Sequence, residues 1–321
     1  MLKKTGLVTI WILCFVFFDV VICRNMLGLG HPRDFSTYRS VRPPRAYVEF
    51  AAEWLMRDSS FDKTHFWHDE DPKTIRVAFF GGSTGVPFNE KFFADKLSEL
   101  FKQKVDVVNF SCFSANHTQH LHMLLEVLHN GTPDIVVFYG GFNETIQNGW
   151  FDPRPGYPYS YYFRNEMTSF KRLLVEKSAL FGALEWKYNI ISNIGKLRKE
   201  YKPFQKEWNE TIKNKYFENL ELAKRVTESL PSRKYKHAKF IAFYQPYQAE
   251  KIPSFVKTHE EIREEIKKFD YIVDLHDIYK PVISNGKPVY FDECHVNQPA
   301  TDLATVIISK IIAKKYAKNV R

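Results

Sequence analysis

Five short apolar runs, each closed by a turn, alternate with segments whose apolar residues recur at helical spacing, and this alternation restricts the fold more than any other feature of the chain. The runs are Ile75–Phe80, Val105–Phe110, Asp134–Tyr139, Lys239–Tyr244 and Tyr271–Leu275. Each has the length and apolar continuity of a strand buried on both faces. Between them, residues 89–102 carry Phe92, Phe93, Leu97, Leu100 and Phe101 on one helical side, and residues 117–129 carry Leu121, Leu124, Leu125 and Leu128. Further helices are expected near 257–268 and 299–316. Strands that alternate with helices build a parallel sheet through right-handed crossovers, and such a sheet takes its ligand beyond the carboxyl ends of its strands.

The alternation lapses between residues 144 and 235, where an aromatic and proline-rich stretch from Trp150 to Phe163 precedes long charged segments of helical pattern. This is read as an insertion in a domain spanning 73–321. Residues 25–72, rich in Arg, Pro and aromatics without a sustained period, are read as a stalk that packs on the domain. Ahead of it, an apolar run from Gly6 to Cys23 is broken only by Asp19. As a helix it would cover about 27 Å, enough for a thin bilayer. Residues 1–24 are thus expected to be a single-pass membrane anchor. Lys3 and Lys4 stay on the cytoplasmic side and send the bulk of the chain outward, with a cleaved signal peptide as the alternative.

The 46 basic and 37 acidic residues give a net charge of +9, which favours anionic surroundings. The basic residues show neither aromatic interleaving nor zinc-finger spacing, so nucleic acid is not an expected partner. Of the four cysteines, Cys14 and Cys23 fall in the apolar run, leaving Cys112 and Cys294 as one conceivable bridge or two buried thiols.

Three loops at strand ends carry the chemistry. The first is Gly81-Gly82-Ser83-Thr84-Gly85, where flanking glycines leave a hydroxyl and backbone N–H groups exposed. A nucleophile turn, a phosphate nest and a plain structural turn all fit that loop taken by itself. The P-loop lysine and the dinucleotide glycine spacing are both missing, and no cofactor is expected. The second is Gly140-Gly141-Phe142-Asn143-Glu144, in which Asn143 can offer its amide to a developing oxyanion. The third, Asp292-Glu293-Cys294-His295, places an acid and an imidazole three residues apart on one side of a turn, as needed for a carboxylate to hold one ring nitrogen while the other receives a serine proton. A metal bound by Cys294 and His295 is the competing reading, but no second cluster at ligand spacing supports it, and no metal is expected.

In this order the loops resemble those of the SGNH or GDSL-like hydrolases, over residues 75–144 and 239–316. The resemblance implies a flavodoxin-like three-layer α/β/α sandwich with a parallel sheet. It implies Ser83 as nucleophile, His295 as base, Asp292 as its orienting acid, and an oxyanion hole formed by Asn143 with the N–H groups of Ser83 and Ser114. The chain departs from the family in having Gly-Gly-Ser for Gly-Asp-Ser, and Ser114 where a glycine is usual. Gly81-x-Ser83-x-Gly85 also fits the nucleophile elbow of α/β-hydrolases, but that fold needs several strands before its elbow and separates its acid from its histidine.

The expected function is ester hydrolysis or O-acyl transfer, acetyl above all by resemblance, on a surface glycan or glycolipid outside the cytoplasmic membrane. The aromatics Trp150 and Tyr157, with Phe151, Tyr159, Tyr161 and Tyr162, are candidates for stacking on sugar rings or for packing beneath the insertion. The alternative is a catalytically silent glycan-binding or assembly protein on the same fold, motivated by Ser114.

Overall fold

A computed structural model describes residues 11, 13–26, 67, 71–111, 115–129, 131–145, 178, 180–181 and 208–319. The chain divides into two compact units, one of residues 1–47 with 150–203 and one of residues 48–149 with 204–321.

The second unit holds the sheet. Its strands are β1 (Ile75–Gly81), β2 (Val105–Asn109), β3 (Ile135–Gly140), β4 (Lys239–Tyr244) and β5 (Ile272–Asp274), all parallel and ordered β2-β1-β3-β4-β5. The helices are α1 (Glu90–Phe101), α2 (His117–His129), α3 (Trp208–Glu228), α4 (Val256–Ile266), the short α5 (Lys280–Ser284) and α6 (Gln298–Tyr316). Because side chains alternate across a strand, each strand feeds two cores. Val77, Phe79, Val107, Ile135, Val137, Ile241 and Phe243 pack with Leu97 of α1 and Ala304, Ile308 and Ile312 of α6. Ala78, Phe80, Val108, Val136, Phe138, Phe240 and Ala242 pack with Leu124 of α2, Tyr216 and Leu220 of α3 and Ile262 of α4. The result is the expected three-layer sandwich of order 2-1-3-4-5.

Of the expected insertion, residues 144–145, 178, 180–181 and 208–235 are among those described. Helix α3 is the crossover between β3 and β4, with Ile212, Tyr216, Leu220 and Ala223 fully buried. Its apolar stripe is only about one residue wide per turn, and ion pairs such as Lys213–Glu210 and Lys224–Glu228 cover the rest, so its composition resembles that of a solvated helix. Before β1, Trp67 is buried in the α2–α3–α4 core beneath the Arg76 guanidinium, 5.2 Å from its ring centroid. Fully buried Asp134 joins the starts of β1 and β4. It accepts bonds from Arg76 N at 2.9 Å, Ser232 Oγ at 2.6 Å and Lys234 N at 3.1 Å.

In the first unit, a helix runs into π-helical geometry over Phe18–Met26. Buried Asp19 accepts hydrogen bonds from Ser178 Oγ and Leu180 N, both at 2.8 Å. Among the described residues no helix is long and apolar enough to cross a membrane. Residues 1–10, which begin the expected anchor, lie outside the described set, as do most of the stalk and all of the aromatic stretch 150–163.

Phe80 lies at the centre of the second core, its ring 5.2 Å from that of Phe110 and 5.3 Å from that of Phe138. Phe80→Ala should lower the unfolding free energy by about 3–5 kcal/mol, measured by chemical denaturation.

Candidate active site

The sheet reverses direction between β1 and β3. The chain leaves β1 for β2 on one side and leaves β3 for β4 on the other. The crevice beyond the carboxyl ends of these two strands is where an open α/β sheet binds ligands. The loops of Ser83 and Asn143 are the continuations of β1 and β3, so the strand order alone brings them together.

The turn after β1 is fixed from both sides. Asn109 at the end of β2 donates from Nδ2 to Gly85 O at 3.0 Å and to Phe88 O at 3.1 Å. Thr84 Oγ1 donates to Gln245 Oε1 at 3.1 Å, beyond the end of β4. Ser83 is left partly exposed between these fixed points. Its Oγ lies 2.8 Å from His295 Nε2, and His295 Nδ1 lies 2.6 Å from Asp292 Oδ2. The other carboxylate oxygen, Asp292 Oδ1, accepts from Cys294 N at 2.8 Å and His295 N at 2.7 Å. Partial burial raises the Asp292 carboxyl, but the bonds from His295 N, Cys294 N and the His295 ring outweigh it and hold the group below the usual carboxylate range. Asp292 therefore stays ionised and fixes Nδ1–H on the histidine, which leaves Nε2 as the acceptor facing Ser83. The loop is held by an isolated antiparallel bridge between Tyr290 and Val296 and by Gln248 N donating to Glu293 O at 2.7 Å.

Asn143 Nδ2 donates to Ala115 O at 2.7 Å. An amide nitrogen carries two hydrogens, so one remains for another acceptor. The same nitrogen sits 2.5 Å from where a Cβ on Gly82 would stand, with Ala115 O at 3.1 Å. Only glycine allows the amide this close to the residue before Ser83, a use of Gly82 that the loop sequence does not reveal. Asn143 and the three residues Ser83, His295 and Asp292 are thus in one place. Ser114, Trp150 and Tyr157 lie outside the described residues, as does Cys112, while Cys294 carries a buried free thiol.

Among the described residues, two groups of side chains are spaced closely enough to share a cation: Asp292, Cys294 and His295, and the buried His117, His120 and Glu144. In the first, both Asp292 oxygens are already engaged, Oδ1 by Cys294 N and His295 N and Oδ2 by the His295 ring. In the second, both Glu144 oxygens accept backbone N–H groups, and His117 Nε2 has no partner, whereas metal-bound imidazoles donate outward. Sequence reasoning singled out neither His117 nor Glu144. The signal was a carboxylate directly after Asn143, on a strand end already assigned to the buried sheet.

Burial raises Glu144 to about 7 against the bonds from Gly141 N, Glu144 N and His117 N. It faces His117 and His120 of α2, Tyr216 of α3 and Tyr247 beyond β4. The native chain therefore holds a proton that the unfolded chain releases, and stability falls as pH rises from 4.5 to about 7, then levels. This one group should contribute a decline of about 3 kcal/mol over that window. Subtracting the unfolding free energy of Glu144→Gln from that of the unaltered chain, pH by pH, should isolate it.

No family model matches this sequence and no curated protein matches it. Solved structures similar to it include a gut microbial diltiazem-metabolizing enzyme, with TM-score 0.45 and 12% identity over 74% of this chain, which spans less than half, 46%, of that enzyme's own length. A lipase/acylhydrolase from Enterococcus faecalis aligns with TM-score 0.42 and 14% identity over 77% of this chain and 97% of its own. The acetyl xylan esterase AlAXEase aligns with TM-score 0.38 and 11% identity over 75% and 100%.

Proposed function

We propose that this chain is a serine esterase or O-acyltransferase that works through an acyl-enzyme on Ser83, with acylated surface glycans or glycolipids as its substrate class. The observation that carries the reading is the unbroken hydrogen-bond chain from Ser83 Oγ through His295 to Asp292, with steps of 2.8 and 2.6 Å. It lies beside an asparagine amide with an uncommitted hydrogen.

Ser83 Oγ attacks the acyl carbonyl carbon while its proton passes to His295 Nε2, and the carbonyl oxygen becomes an oxyanion. Asn143 and the N–H of Ser83 stabilise that oxyanion, with the N–H of Ser114 as the third donor implied by resemblance. Collapse breaks the bond to the leaving alcohol, which takes the proton from His295. Water or a sugar hydroxyl then gives its proton to His295 and attacks the acyl carbon, and the bond from that carbon to Ser83 Oγ breaks as His295 returns the proton to Ser83 Oγ. Asp292 stabilises the imidazolium in both halves. Which acceptor attacks second separates hydrolysis from transfer, and both use the same residues.

The glycan assignment rests on the aromatic stretch that includes Trp150 and Tyr157, since sugar rings stack on flat apolar faces. Work outside the cytoplasmic membrane rests on the apolar run Gly6–Cys23 behind Lys3 and Lys4.

The full chain in detergent should be labelled by a fluorophosphonate serine probe, and labelling should vanish in Ser83→Ala and His295→Ala. A folded protein that takes no label would replace this reading with a silent binding protein. Given labelling, Asn143→Ala should lower kcat on an aryl acetate by about 10²–10³-fold with little change in KM. Acetyl transfer to an added glycan in excess of release to water would identify a transferase, and the reverse a hydrolase.

A further inference from the structure

Glu144 is an acid placed where acids are costly. Its side chain is 3% exposed, and the groups around it are aromatic and imidazole rings. The location of its bonds accounts for its presence. Oε2 accepts from Gly141 N at 2.5 Å, within the loop that carries Asn143. Oε1 accepts from His117 N at 2.7 Å, at the start of α2 and two residues beyond Ala115, whose carbonyl holds the Asn143 amide. Oε1 also lies 3.2 Å from His117 Nδ1, and His117 Nδ1 lies 3.3 Å from His120 Nδ1. One carboxylate thus spans the loop after β3 and the loop between β2 and α2. These are the two segments whose mutual position decides where the Asn143 amide points.

The backbone is shaped to admit this group. A Cβ on Gly140 would fall 2.6 Å from His117 Cε1 and 2.9 Å from Glu144 Oε1. The His117–Glu144 pair therefore fills the space that a side chain at the end of β3 would need. A buried acid that lowers stability at neutral pH, and for which the strand gives up a side chain, fits a functional constraint better than a packing one.

We infer that Glu144, seated against His117, is a positioning residue that cross-braces the two loops of the oxyanion hole and so fixes the Asn143 amide beside Ser83. This rests on the serine-esterase reading above. Glu144 touches no reacting atom and acts through Asn143. The carboxylate suits the task because its two oxygens accept from two backbone donors at once, whereas an amide of the same shape turns an NH₂ toward one of them.

The test is a double-mutant cycle on aryl acetate hydrolysis by the full chain in detergent, with Glu144→Gln, Asn143→Ala and the pair, and melting temperatures alongside. Glu144→Gln should lower kcat tenfold or more with KM within about twofold and a melting temperature no lower than that of the unaltered chain. The pair should lose little beyond Asn143→Ala alone, because both changes remove the same donor. Near-normal kcat in Glu144→Gln, or losses that multiply in full, would overturn the brace while leaving the serine chemistry standing. An unaltered chain that neither takes the fluorophosphonate label nor turns over the ester would remove the serine reading and the brace with it. Should Glu144→Gln melt lower than the unaltered chain, Glu144→Asp, which keeps the charge and shortens the reach, replaces it in the cycle with the same expectation.

Discussion

The reversal of strand order between β1 and β3 is the constraint on which the site depends. In a parallel sheet all carboxyl ends lie on one edge, and only at a reversal do the helices on opposite faces leave the loops of two adjacent strands without a cover. Here those loops carry Ser83 and Asn143. The apolar strands that fix the order, fully buried along most of β1 and β3, are therefore also what brings the proposed nucleophile and oxyanion donor together. No contact between the two loops needs to be strong, because each is the end of a strand held in register by its neighbour.

Packing around the crevice is governed by absent side chains as much as by those present. Gly82 admits the Asn143 amide and Gly140 admits His117 and Glu144. Each is a place where a Cβ would push a polar group away from its partners, so the glycines act through close approach rather than flexibility. The polar groups brought in by this route are of two kinds. Asp134 has both oxygens satisfied at the amino edge of the sheet, far from the crevice, and joins strands. Glu144 has comparable bonding at the carboxyl edge, but its partners are loop N–H groups next to Asn143, the proposed oxyanion donor.

Much of this was legible in the sequence. The five strands, α1, α2, α4 and α6 appear where apolar periodicity places them, within a residue or two at their ends, because both signals are local. Helix α3 falls within the charged segments of helical pattern, but its place as a crossover packed on the sheet was not legible, because a helix that meets the sheet along a narrow stripe displays mostly polar residues, and its buried apolar positions Ile212, Tyr216, Leu220 and Ala223 look sparse against so many charges. Ser83 and Asn143 could be named from loops at strand ends, whereas Asp292 and His295 lie not at a strand end but after α5, and could be named from their three-residue spacing just before the last helix. Glu144 could not be assigned a role, since its partners Gly141 and His117 acquire meaning only once β3 and α2 are adjacent. The reason for Gly82 was equally out of reach, because it is a distance to residue 143.

This contrast follows from how each half of the proposed catalytic constellation is held. The Asp292–His295 pair is self-contained: Oδ1 closes the turn by accepting Cys294 N and His295 N, which leaves Oδ2 to meet Nδ1 of the residue it has just oriented. Four consecutive residues suffice, so a short pattern can encode the pair. The oxyanion side has no such local solution. An amide aimed at an oxygen that exists only in the transition state gains nothing from a bond to that oxygen in the resting protein. Its aim must be set by contacts elsewhere, here Ala115 O for the Asn143 amide itself and, in the arrangement proposed above, Glu144 for the loops beneath it. A site of this kind therefore spreads its positioning contacts over several elements on the stabilising side while keeping the acid–base pair within one turn.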